Sequence, residues 1–136
     1  NFILSGLNLS FLGHYISGET RIYKDLYHWP DGLFKFLLFK DDNIKKIPGR
    51  KFLNDLHIPD DVNKIHILGE LSKKGQEYIK KKFNREVEHT KLPFGSISIM
   101  EKYIPKFDEN TLCLLTLPTP KQEIFAEKNI QKKQIL

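Results

Sequence analysis

Pro30-Asp31-Gly32, inside the stretch LYHWPDGLFKFLLFK (residues 26–40), sets one carboxylate between a rigid and a flexible residue, with apolar residues on both sides. Such a carboxylate has two physical uses. Pro-Asp-Gly is good turn chemistry, and an aspartate in front of a helix caps it. An aspartate also stays ionised at neutral pH, so it can take the proton of a hydroxyl nucleophile within hydrogen-bond reach. Composition alone favours the turn. Pro120-Lys121-Gln122-Glu123 poses a similar choice. Pro120 suits a first helical turn and Glu123 suits a helix N-terminus, yet the same positive end, with Lys121 and Gln122 beside it, can hold a phosphate or a sugar.

Other chemical signatures are absent from the sequence. It has no Gly-rich dinucleotide fingerprint, no GxxxxGK[ST] phosphate loop, no HExxH and no G-x-S-x-G elbow. The five histidines (14, 28, 57, 66 and 89) show no metal-ligand spacing and read as surface or core residues. Asp41-Asp42 and Asp60-Asp61 are adjacent pairs that read as solvated turns, not the D-x-D that holds a metal against a nucleotide diphosphate. Cys113 lies in an apolar run and reads as core.

The elements that must position these residues alternate. FILSGLNLSF reads as a strand ending near Asn8, GLFKFLLFK as a buried helix, and GRKFLNDL as the start of a short helix. Ile65, Ile67 and Leu68 predict a strand ended by Gly69, with Ser72 as the N-cap of the next helix. Gly75, Tyr78, Ile79 and Phe83 give that helix one apolar stripe among lysines. GSISIM (95–100) alternates as a strand would. TLCLLTL (111–117) reads as a strand covered on both faces, and Ile124, Phe125 and Ile130 predict a closing helix. Alternating strands and helices imply an α/β sandwich with a largely parallel sheet, whose ligands bind beyond the carboxyl ends of the strands. Asn8, the PDG turn, the GEL turn after Leu68 and PTPKQE all fall in such loops.

Composition bounds the partners. At 136 residues, with 40% hydrophobic content and 10 Phe, the chain suits one packed domain, 1–136, without repeats or linkers. A net charge of +5 favours anionic partners, and seven Lys or Arg face three Glu between Lys73 and Lys91. Those lysines surround their helix without an aromatic stacking pattern, so the sequence does not favour nucleic acid as a partner. One cysteine gives neither a disulfide nor a zinc cluster, and no apolar run approaches the ~20 residues of a membrane span.

WPDG, then IPGRKFL 16 residues after Asp31, then IHILGE, then LPTPKQE resemble, in order and approximate spacing, the WecG/TagA/CpsF glycosyltransferases. The resemblance runs from about Phe2 to Asn129 and implies a Rossmann-like sandwich with a mostly parallel central sheet flanked by helices. It implies an inverting, metal-independent enzyme, without a cofactor, that moves a hexose or an N-acetylmannosamine-type sugar from a UDP-sugar. The acceptor would be a polyprenyl-diphosphate-linked sugar in bacterial surface-polysaccharide synthesis. The implied location is cytoplasmic, peripheral at the inner face of the plasma membrane, and a homo-oligomer is compatible with the sequence.

Residue by residue, the resemblance makes Asp31 of the PDG the general base and Gly32 its neighbour in the substrate turn. Asn8 matches the Asn that closes the first strand loop, near the sugar. Lys46 stands where the family usually has Arg to neutralise the departing diphosphate, and Arg50 is a neighbour able to share that task. Lys121, Gln122 and Glu123 match the donor pocket, with the Gln122 amide on sugar or diphosphate oxygens. The chain departs from the pattern at Gly6, where the family has Thr, and at Pro118-Thr119, where it has Gly-Ala/Ser. Thirteen residues follow Glu123, so the expectation is a catalytic core without the family's C-terminal membrane-binding tail. The other reading is a non-catalytic module that binds a nucleotide sugar or phosphate.

Overall fold

The computed structural model describes residues 3–31 and 45–130, and the chain divides into two compact units, Phe2–Leu56 and His57–Leu136. Every described strand pair is parallel, and helices flank the strands, so the chain is α/β. Gly32 and the predicted GLFKFLLFK helix lie outside the described residues.

In the first unit, β1 (Ile3–Leu7) pairs with β2 (Leu26–Pro30), from Ile3 beside Leu26 to Leu7 beside Pro30. Between them runs α1 (Leu9–Ile16), which the sequence reading did not anticipate. Asn8 starts it: its Oδ1 accepts from the Phe11 N–H at 3.0 Å, satisfying one of the free donors of the first turn. Phe11 is fully buried and lies 4.5 Å from the His28 ring of β2, which fixes the helix against the strands. The short α2 (Gly49–Asp55), predicted from GRKFLNDL, is held to β2 by Phe52, stacked on Trp29 at 4.2 Å and 6°.

In the second unit, β3 (Lys64–Gly69) is the middle strand, with β4 (Glu86–Thr90) on one side and β5 (Thr111–Thr116) on the other. Its residues 65–69 are all buried, as expected for a strand covered on both faces. The lysine-rich α3 (Lys73–Phe83) joins β3 to β4 and buries Ile79 and Phe83. Ser72 caps it as expected, accepting from the Gly75 N–H at 3.2 Å. Tyr78, assigned to the apolar stripe by spacing, is instead 45% exposed.

Two sequence expectations are corrected. GSISIM is not a strand: Ile97–Met100 form α4, followed by a 3-10 turn over Glu101–Tyr103. The alternation misled because it is only a few residues long. Ile97, Met100 and Ile104, at helical spacing, are the residues that face the core. TLCLLTL does form β5, but it flanks β3, and only Thr111 and Cys113 of it are buried. Cys113 joins Leu68, Leu92, Met100 and Phe125 in the hydrophobic core, the last residue supplied by α5 (Lys121–Ile130).

Candidate functional site

The first unit brings Asn8 and Asp31 together. Leu7 and Pro30 are register partners at the ends of parallel strands, so the next residue of each strand leaves the sheet at the same carboxyl edge. The Asp31 N–H donates to the Leu7 carbonyl at 3.1 Å, extending the ladder by one bond and fixing the base of the loop. Asn8, besides capping α1, donates from Nδ2 to the Gly6 carbonyl at 3.4 Å. Both side chains remain half-exposed at this edge.

Gly6 explains how the carboxylate is seated. A Cβ at Gly6 would lie 3.1 Å from Asp31 Cβ, 3.1 Å from Asp31 Oδ2 and 3.1 Å from a Trp29 ring carbon. The Asp31 side chain therefore packs over bare backbone, in space that the threonine of the family pattern would need. Ser5 is buried in β1 and Ser10 is exposed on α1.

The chain returns to this edge at Ile47, whose N–H donates to the Pro30 carbonyl at 2.8 Å. Lys46 thus belongs to a segment tied to the residue before Asp31, and it is exposed. Arg50, also exposed, lies in the first turn of α2, the helix that the Trp29–Phe52 stack positions. Lys46 and Arg50 thus lie on a segment and a helix that are tied to Pro30 and Trp29 at the end of β2.

Lys121, Gln122 and Glu123 belong to the second unit, where they open α5 after β5. Glu123 is 1% exposed, and its Oε1 accepts from Gln122 Nε2 at 2.7 Å and from the Thr119 hydroxyl at 3.4 Å. Gln122 Nε2 also donates to Thr119 Oγ1 at 3.2 Å. A carboxylate only accepts, so this pairing sets the amide with Nε2 inward and both its hydrogens engaged. The free hydrogen-bonding atom of Gln122 is then its carbonyl oxygen, which suits a sugar hydroxyl better than a diphosphate oxygen. Glu123 acts here as a brace for the loop. Lys121 Nζ donates to the Gly95 carbonyl at 3.0 Å.

The same unit holds a cleft of roughly 660 Å³ that sequence reading missed, lined by Glu70, Leu71, Ser72, Lys73, Gln76, His89 and Lys91. It lies beyond the carboxyl ends of β3 and β4, at the start of α3. Gln76 Nε2 donates to the Leu71 carbonyl at 3.0 Å and to His89 Nδ1 at 3.0 Å, so His89 Nε2 carries the proton and donates to the Gly69 carbonyl at 2.9 Å. Recognising β4 was the missing step: GluValGluHisThr alternates with period 2, but only one of its residues is aliphatic.

Across β3 and β4, His66 is the one buried histidine among the described residues. Its Nδ1 faces Glu88 Oε2 at 3.1 Å and its Nε2 faces Thr90 Oγ1 at 2.8 Å, with the Phe107 ring edge-on at 5.0 Å. Lys64 Nζ donates to Glu88 Oε1 at 2.9 Å. Burial pushes the His66 imidazole below its usual range, against the pull of Glu88. The Lys64 bond, with help from His66, holds the Glu88 carboxyl down, and Glu88 in turn raises Lys64.

Among the described residues no group of three or more His, Cys, Asp or Glu side chains is placed to hold a metal ion. No protein-family model, curated protein or solved structure matches this chain.

Proposed function

We propose that this chain carries the catalytic core of an inverting glycosyltransferase of the WecG/TagA/CpsF type. It would move a hexose or an N-acetylmannosamine-type sugar from a UDP-sugar to a polyprenyl-diphosphate-linked sugar, working peripherally at the inner face of a bacterial plasma membrane. The finer fold that accompanies this function is the family's Rossmann-like sandwich. The observation that carries the reading is the placement of Asn8 and Asp31 immediately after the register partners Leu7 and Pro30, at the carboxyl ends of β1 and β2. Open parallel sheets bind ligands at that edge.

In this mechanism Asp31 accepts the proton of the acceptor hydroxyl as its oxygen attacks the anomeric carbon of the donor. The new C–O bond forms on the face opposite the diphosphate, and the old C–O bond breaks with its electron pair leaving on the diphosphate. Asn8 orients the sugar, and Lys46 and Arg50 offset the charge that develops on the leaving group. No described helix is long and apolar enough to cross a membrane, which is compatible with peripheral attachment.

The cleft lined by Ser72, Lys73, Gln76 and Lys91 favours a second reading, binding of a nucleotide sugar or phosphate without transfer. Calorimetry with a panel of UDP-sugars, followed by a turnover assay with the donor that binds, separates the two. Binding with transfer supports the enzyme, binding without transfer supports the module, and no binding opposes both.

A further inference from the structure

Trp29, the single tryptophan of the chain, stands where two parts of the proposed site meet. It is the register partner of Gly6 across β1 and β2 and lies two residues before Asp31. Its ring carbon Cζ2 and Asp31 Oδ2 each lie 3.1 Å from the point that a Cβ at Gly6 would occupy. The carboxylate therefore has bare backbone beneath it and the rim of the indole beside it. One flat side of the same indole is stacked on Phe52 at 4.2 Å and 6°. Phe52 belongs to α2, whose first turn carries Arg50. Both rings are half-buried, and neither is among the buried core residues. The indole Nε1 is buried without a hydrogen-bond partner among the described residues, so packing holds the ring in place.

We propose that Trp29 is a positioning residue for sugar transfer, confining the Asp31 carboxylate with its rim and carrying the Arg50 helix on its face. A free aspartate side chain samples several rotamers, and a base works only from the one that meets the attacking hydroxyl. Backbone on one side and a ring on another remove part of that freedom before substrate arrives. The rim is also the positive end of the ring quadrupole, the end that suits a neighbouring carboxylate. The stack has a separate effect. Arg50 is exposed and α2 is only seven residues long. The Phe52 contact, with the Ile47 bond to the Pro30 carbonyl at 2.8 Å, therefore sets where the guanidinium can reach. One ring thus links the group that takes the proton to the helix that bears a cation for the leaving diphosphate. The assignment rests on the proposed transfer reaction, because it concerns the same carboxylate.

Two substitutions separate the contacts. Trp29→Phe keeps a ring for Phe52 but has no atom at the Cζ2 position, and it removes an N–H that bonds nothing among the described residues. Phe52→Leu keeps the indole rim and removes the stack. The full chain and each variant are compared by far-ultraviolet circular dichroism, by calorimetry with UDP, and by transfer kinetics with the UDP-sugar that binds the wild type. Trp29→Phe should lower kcat about tenfold or more with UDP affinity unchanged. Phe52→Leu should weaken UDP binding about threefold or more, and it keeps the proposal testable should Trp29→Phe not fold. Gly6→Ala presses on the same space, so its loss of kcat and that of Trp29→Phe should not multiply in the double variant. A ring that serves packing alone would lower the melting temperature without this pattern. Wild-type kcat in folded Trp29→Phe overturns the proposal, and so do losses that multiply or unchanged UDP affinity in Phe52→Leu. Transfer by the wild type with any of those results defeats this role alone. No transfer by the wild type defeats the glycosyltransferase, and this role with it.

Discussion

Gly6 and Asp31 are matched across the parallel pair β1–β2: the aspartate side chain occupies the space that a side chain at position 6 would fill, with both contacts at 3.1 Å. A glycine at this position is thus a means of seating a carboxylate. Gly6→Ala is expected to fold with some loss of stability, since Asp31 Cβ, its carboxylate and the Trp29 ring must each give by a few tenths of an ångström. The shifted carboxylate should lower turnover roughly tenfold or more with donor affinity unchanged. Steady-state kinetics beside calorimetry check this, and unaltered turnover would show that the seat of Asp31 does not matter.

The His66–Glu88–Lys64 network makes stability depend on pH. Burial holds the folded imidazole below its ordinary value of 6.5, so as pH falls the unfolded chain takes up the proton first. The stability carried by neutral His66 is complete above that value and is lost as pH drops through the lower folded one. Glu88, held below 4.5 chiefly by its bond to Lys64, adds a further loss at more acidic pH. Glu86, Asp108 and His89 also act on this cluster. Melting temperatures of the wild type should fall between about pH 7.5 and 5.5, and those of His66→Gln by clearly less. Equal falls would remove His66 from the account.

Gly69 ends β3 at φ +116°, and a Cβ there would lie 2.6 Å from Thr116 Oγ1 and 2.9 Å from the Thr116 carbonyl oxygen. Gly69→Ala should therefore cost about 1–3 kcal/mol in denaturant unfolding. Thr116→Ala would not rescue it, because the backbone oxygen and the positive φ remain. A neutral Gly69→Ala would mean that this strand end relaxes freely.

Much of this arrangement is legible in the sequence, for reasons that differ between elements. Ile65–Leu68 and Ser72 were plain because an aliphatic run, a glycine and a hydroxyl cap each carry a strong local signal. Asn8 reads from the sequence as a strand end, but its role as the cap of α1 does not, since Leu9, Phe11, Leu12, Tyr15 and Ile16 spread over most of the helix circumference and leave no single apolar stripe. β2 and β4 were missed because LYHWP and EVEHT contain few aliphatic residues. Their pairing comes from β1 and β3, which is long-range information. GSISIM shows the reverse error, a local alternation overruled by the core contacts of Ile97 and Met100. Within the site, the residue types came from the motifs. The space at Gly6, the locked amide of Gln122 and the cleft at His89 exist only in three dimensions.

The central claim is that Asp31 is the base for sugar transfer, and the most direct measurement compares transfer by the wild type and by Asp31→Asn. The acceptor is a polyprenyl-diphosphate-linked sugar, and the donor is the UDP-sugar that calorimetry selects. The amide keeps the size of the carboxylate and can still lie over Gly6, so fold and donor affinity should persist. Turnover should drop by about 10²–10⁴-fold. Wild-type turnover in Asp31→Asn, with donor binding intact, would contradict the assignment.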